Sequence, residues 1–457
     1  MRKSALIPAA LIAAALLQGC TGFLTVKPQG EVLPSTDEEF AAIIHYHLNE
    51  IEGGGDEYII GNMETVARLE GCADDLDANI LPGTNLASYS GELINQRMSA
   101  YRESFAVIRD CNIVIENLKG RDTPTARGVL AAAYSIKGIV YYNLMKEFCP
   151  AWGDGSELGI PIVETFDVES RPLRPTLSQT AEYAVEQFDK ALGQGSSDPK
   201  YIFTPYIIKA FKARTLFWAE KWDEAIPVCE DILSNSGKKL CDRESFAAMI
   251  ASDAPLSEVL LKSHINNASE LNWYFSYIKG YIASRPAGKA FVSLFGDNPE
   301  DDIRFKVSLD AKRFNTKLPE IRVRLSEILL ILAECYVHEG KAQEAVGLLN
   351  ELRNHRIRNA EPLTLADLPE VRTGDRITVD AMGKPVSKAL QAVFDERRKE
   401  LFMEGDRWWE LKRNGSPEWW VVTGGLKYTT RKYLYTAPIY KGDTELNPEM
   451  KQNEGYE

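Results

Sequence analysis

The sequence is poor in the residues that most often carry chemistry. Its 457 residues include seven cysteines and five histidines, and its formal charge is −13. Each shortage excludes something. So few cysteines in a chain this long cannot form a disulfide scaffold, and no CxxC or CxxH spacing brings two of them together as metal ligands. Cys229 and Cys335 fall at apolar helical positions and read as buried thiols, while Cys229 and Cys241 are the one pair close in sequence. His45, His47, His264, His338 and His355 form no HExxH and read as surface or capping residues. There is no G-x-S-x-G elbow. Gly53-Gly54-Gly55 lacks a following GK[ST], so it reads as a turn and not a phosphate loop. The missing positive excess excludes a nucleic-acid footprint or a polybasic membrane patch. Past the N-terminus no apolar run is long enough to span a membrane. No catalytic residue, cofactor or metal is expected.

What is present begins with an export signal. Arg2 and Lys3 precede an apolar stretch from Leu6 to Leu17, and small residues follow. Leu17-Gln18-Gly19-Cys20 is similar to the lipobox of bacterial lipoproteins, in which the cysteine becomes the first residue and carries the acyl chains. Residues 1–19 are therefore excluded from the fold, and Cys20 is the expected lipid attachment site holding the protein on a membrane. With 44% hydrophobic and 26% charged residues, the remainder has the composition of an ordinary globular chain.

The pattern along that remainder is helical. A helix is expected from Thr36 or Asp37 to Leu48, with Asp37, Glu38 and Glu39 at its positive end. Others are expected over Met98–Leu118, Val129–Phe148 and Thr176–Leu192. Two segments repeat one pattern: Ala213 and Ala225 lie twelve residues apart within Tyr206–Leu233, as do Ala333 and Ala345 within Leu325–Leu352. That matches the tetratricopeptide unit, in which small residues sit where two helices touch. The expected fold class is mostly α, a tetratricopeptide-like scaffold of helical pairs with long irregular, loop-rich insertions. The repeat core covers about 98–233 and 321–355, a loop-rich insert about 235–319, and a C-terminal helix and tail 388–457, all within one domain of residues 20–457.

The densest pattern is Val393 to Gly415, VFDERRKELFMEGDRWWELKRNG. Apolar residues recur at helical spacing, and opposite charges stand three or four residues apart. Glu396, Arg397, Glu400, Glu404 and Arg407 read as a partly buried ion-pair lattice. Acid–base work is disfavoured, because each carboxylate has an Arg or Lys beside it and stays ionised. Gly405 marks a bend or a close backbone approach.

ERRKEL followed by EGDRWWELKRNG resembles the C-terminal signature of the SusD/RagB outer-membrane lipoproteins. Further elements are similar to that family in the same order. They are Phe23–Gly30 after the anchor, Tyr101, Ile108 and Asn112 on one helix, and Asp302 and Arg304. Arg324 and Glu327, Ala333-Glu334, Asn350 and Arg353 come next, then the tail Gln452-Asn453-Glu454-Gly455-Tyr456. Glu454 stands where the family usually has Pro, and Phe203-Thr204-Pro205 lacks an Arg the family commonly carries.

The resemblance implies capture of a glycan (an oligo- or polysaccharide) at the cell surface, with delivery to a SusC-like TonB-dependent outer-membrane transporter. A peptide ligand within the same family, or a tetratricopeptide scaffold for protein assembly, is the alternative. Sugar recognition needs flat aromatic faces and side-chain amides. Within the insert, Trp273, Tyr274, Tyr277 and Tyr281 with Asn272 offer both, and they serve either a ligand or a small core beneath the insert. Asn85 and Tyr89, in the polar stretch Gly71–Ser90, form a second candidate; Asp74, Asp75 and Asp77 of that stretch read as solvated, and their spacing does not fit a calcium-binding EF-hand. Trp408, Trp409, Trp419 and Trp420 read as core.

Overall fold

Threonine starts three of the helices by one device. The Thr36 hydroxyl accepts the N–H of Glu39, whose carboxylate accepts the Thr36 N–H, and α1 (Asp37–Gly53) begins there. Thr123 caps α4 (Pro124–Phe148), and Thr176 forms the same reciprocal pair with Gln179 at the start of α5 (Leu177–Gly193). Each such cap is worth about 1 kcal/mol. Between them lie α2 (Met63–Cys72), capped by Asn62, and α3 (Met98–Leu118). The computed structural model describes residues 34–78, 98–167, 169–251, 257–262, 280, 284–423 and 425–457.

Helix α4 is buried on almost every side and packs between α3 and α5. Its small residues allow that: a Cβ at Gly138 would meet the Phe188 ring of α5 at 2.8 Å. Two helical hairpins follow, α6 (Pro205–Trp218) with α7 (Trp222–Asn235), and α10 (Leu325–His338) with α11 (Ala342–Arg356). Ala213, Ala225, Ala333 and Ala345 are all buried, and α7 packs on α10, so the hairpins share one core. Between the hairpins the described residues hold α8 (Arg243–Ala251), β1 (Val259–Lys262), α9 (Ile303–Ser308) and β2 (Arg322–Arg324). Strands β1 and β2 pair antiparallel, Val259 with Arg324 and Lys262 with Arg322. The chain is mostly helical, with strands that are few and short among the described residues.

The signature stretch is not one helix. Helix α12 (Lys388–Glu400) ends at Glu400, five residues (401–405) separate it from Asp406, the cap of α13, and α13 (Arg407–Arg413) starts a new direction after a turn. Met403 and Gly405 both take positive φ in that turn, at 63° and 77°. After α13, β3 (Trp419–Thr423) and β4 (Leu426–Thr430) form an antiparallel hairpin. The tail then returns to α4: Asn453 donates to the carbonyls of Phe148 and Ala437 and accepts from Arg174.

Two of the side-chain expectations need correction. Two histidines are not at the surface: His47 is buried and lies 3.1 Å from Asp110, and the His338 side chain, 3% exposed, stacks on Trp222 with ring centroids 4.3 Å apart. Trp420 is no core residue, because β3 alternates faces and turns it outward at 55% exposure, whereas Trp408 and Trp419 are buried. Cys229 and Cys335 are buried free thiols, as expected, and so are Cys72, Cys111, Cys149 and Cys241.

Candidate functional site

Glu396 and Glu400 stand one helical turn apart on α12, so both carboxylates leave the same face. That face is turned inward, and Glu396, Arg397, Arg398, Lys399 and Glu400 are all buried. Burial of so many charges is tolerable only when each is paired and hydrogen-bonded. Glu400 accepts from Arg324 at 2.7 Å and from Arg356 at 3.0 Å, and the same two guanidiniums reach Glu258. Glu396 accepts from Arg304 at 2.8 Å, Lys399 at 2.7 Å and Arg353 at 3.2 Å. Glu404 holds Lys317 and a second arm of Arg324. Burial pushes the Glu396 and Glu400 carboxyls up, yet the cations around them hold both well below the ordinary range. These groups stay charged and are unsuited to proton transfer at neutral pH.

The lattice continues to a distant segment. Arg398 pairs with Asp75, its Nε 3.0 Å from the carboxylate, and Arg407 pairs with Asp74 at 2.7 Å. The Gly405 N–H donates to Glu70 at 2.8 Å. A Cβ at Gly405 would sit 3.1 Å from the Leu69 side chain, which together with its positive φ explains why the chain breaks there. Asp74 and Asp75 are therefore not the solvated residues that their polar surroundings in sequence implied: Asp75 is buried, the Asp74 side chain is half-buried, and each pairs with a guanidinium more than three hundred residues away. Burial, and then the Asp75 charge, raise the Glu70 carboxyl to about 8.

This segment is the stem of one nominated loop, and it is joined to the stem of the other. The Asp77 N–H donates to the Pro286 carbonyl at 2.8 Å, the Gly288 N–H to the Asp75 carbonyl at 2.7 Å, and Leu76 and Ala287 form an antiparallel bridge. Arg285, 1% exposed, fastens the junction by donating to the carbonyls of Gly71, Leu76 and Asp77. Arg313 reaches the Asp77 carboxylate at 3.0 Å. Beneath lies an apolar cluster of Leu76, Ala287, Phe291, Phe295 and Phe305 with Phe402 and Met403 of the signature turn, Phe291 and Phe402 stacking at 4.5 Å. One turn thus supplies part of the apolar floor and of the charged clamps at the junction of residues 74–77 with 285–288.

Asn85 and Tyr89, and Asn272, Trp273, Tyr274, Tyr277 and Tyr281, lie outside the described residues, as does Cys20. What the structure brings together is their stems. Sequence reasoning missed the clamps, Arg285, Arg398, Asp74 and Asp75; nothing in a single sequence links charges so far apart. Among the described residues no group of His, Cys, Asp and Glu could hold a metal ion. No helix of those residues is long and apolar enough to cross a membrane.

Comparison with known proteins follows this geometry. The SusD family model matches residues 305–456, which begin within α9 and contain α10 to α13 and the tail. A SusD-like protein of Formosa agariphila is 28% identical over 161 residues, 34% of this chain and 29% of that protein, so the match spans under a third of that relative. A SusD superfamily protein of Bacteroides thetaiotaomicron shares the fold with TM-score 0.69 and 20% identity, over 92% of this chain and 99% of that one. A SusD-like carbohydrate binding protein of Bacteroides vulgatus does so with TM-score 0.67 and 16% identity, over 91% and 98%. At those identities the likeness is one of fold.

Proposed function

We propose, on the premise that this chain belongs to the SusD/RagB family, that it is a surface lipoprotein that captures a nutrient glycan and passes it to a TonB-dependent outer-membrane transporter. The observation that carries this reading is the shared root: the two stretches richest in sugar-binding chemistry leave the scaffold from stems that are hydrogen-bonded to each other. A root fixed by buried ion pairs lets two otherwise independent loops contribute to one binding surface at lower entropic cost than two free loops. Trp273, Tyr274, Tyr277 and Tyr281 would offer ring faces, with Asn272, Asn85 and Tyr89 taking hydroxyls. The role is binding and not bond making, since the signature carboxylates are held ionised in pairs. Acyl chains on Cys20 would hold the protein at the outer membrane.

A peptide ligand remains the second reading, favoured by the charge of −13, which suits cationic peptides. Calorimetry of the purified chain against neutral oligosaccharides and cationic peptides separates the two. Binding of an oligosaccharide that Trp273→Ala and Tyr277→Ala weaken at least tenfold is the expected result. Affinity unchanged by both substitutions removes the aromatic site, and binding of peptides alone removes the glycan.

A further inference from the structure

A cavity of about 110 Å³ lies between α4, α6, α10 and the α12–α13 turn, apart from the stems of the loop root. We propose that it is a site for one small oxyanion, a carboxylate or sulfate group. Four donors of residues that line it have no partner: Trp218 Nε1, Arg322 Nη1, Arg397 Nη1 and Arg413 Nη2. Their residues are 3%, 3%, 4% and 4% exposed, so bulk water does not satisfy these N–H groups. Each of two guanidiniums is anchored on its other side: Arg397 holds Asp406 through Nε and Nη2, the latter at 2.6 Å, and Arg413 holds Glu334 through Nη1 at 2.5 Å. The Lys146 ammonium lies over the rings of Tyr142 and Trp409, 4.4 and 5.1 Å from their centroids, and makes no ion pair among the described residues.

The acceptor side of the cavity is short. Among its unpartnered atoms only Glu410 Oε1 is an acceptor, and burial raises that carboxyl to about 7 although Arg407 opposes it. The lining carries five cations against four carboxylates. Water molecules would take up the donors but bring hydrogens of their own, for which this lining offers few acceptors. An oxyanion brings acceptors alone and the charge that Lys146 lacks.

The test titrates sulfate, acetate and glucuronate at constant ionic strength, reading Tm and the fluorescence of Trp218 and Trp409, in the wild type and in Lys146→Met and Trp218→Phe. Crystals soaked in selenate locate the ion by anomalous scattering. Expected are a saturable rise in Tm with at least one anion, affinity at least tenfold weaker in both variants, and a selenate peak between Lys146, Arg397 and Arg413. Glucuronate binding more tightly than acetate assigns the site to a sugar-borne carboxylate; equal or weaker binding assigns it to a free ion. A salt response that never saturates and is identical in all three proteins, with no selenate peak, overturns the proposal. Glycan affinity at the loop root is measured separately, so either reading can fail without the other.

Discussion

Glu400 has no contact with water, and guanidiniums on three other elements keep it charged. Burial alone would drive its carboxyl up; Arg356, Arg324 and Arg304 more than reverse that. Glu70 shows the opposite balance. It faces Asp75 across the loop root, and burial with that neighbouring charge raises it to about 8 from an ordinary 4.5. In the unfolded chain the same group releases its proton near 4.5, so between those values the folded state is the more protonated. Its contribution to stability is therefore full below 4.5 and lost as pH rises through about 8. Urea denaturation of the wild type and Glu70→Gln across that window is expected to show the wild type losing stability relative to the variant as pH rises. Parallel curves would place the proton elsewhere.

At the scale of elements, the signature turn does what neither flanking helix does alone. Its backbone donates to Glu70, Phe402 and Met403 enter the apolar floor, and the charges on either side grip the first stem. Gly405 is the residue that permits this path, with φ at 77° and a Cβ position 3.1 Å from Leu69. Gly405→Ala is expected to cost about 1–3 kcal/mol, the usual range for a side chain forced into that conformation. Hydrogen exchange would show the loss as faster exchange at residues 70–77, with α4 unchanged; uniform loss of protection would mean that the turn supports the whole core instead. The break in α12–α13 was visible in sequence as a glycine within a helical pattern. The direction the chain takes after it was not, because that depends on α2 packing beneath.

For the whole molecule, a helical scaffold carries a reinforced junction between residues 71–77 and 285–288, next in sequence to the stretches proposed to bind ligand. Arg285 ties three carbonyls of the first stem to the second. Arg285→Met would leave those carbonyls unpaired in a buried place, at about 1–3 kcal/mol each where no other donor replaces it. The expected outcome is weaker ligand binding by calorimetry with the main thermal transition of the helical core retained. Unchanged affinity would show that the stems need not be joined for the loops to act.

The helices were legible in the sequence because their signals are local. Thr36 and Thr176 stand at caps, apolar residues recur every three or four positions, and alanines mark where α6 meets α7 and α10 meets α11. The chain by itself therefore determined a mostly helical scaffold, the places of its longer helices though not the start of α4 at Pro124 nor the short helices α2 and α8, and a charged signature needing partners. Only the tertiary structure decided who those partners are: Asp74 and Asp75 for Arg407 and Arg398, Arg304 for Glu396, and the stem at 284–288 for the stem at 76–77. A helix is chosen by neighbours a few residues away, whereas the partner of a buried charge is chosen by whichever distant segment the packing brings within about 3 Å.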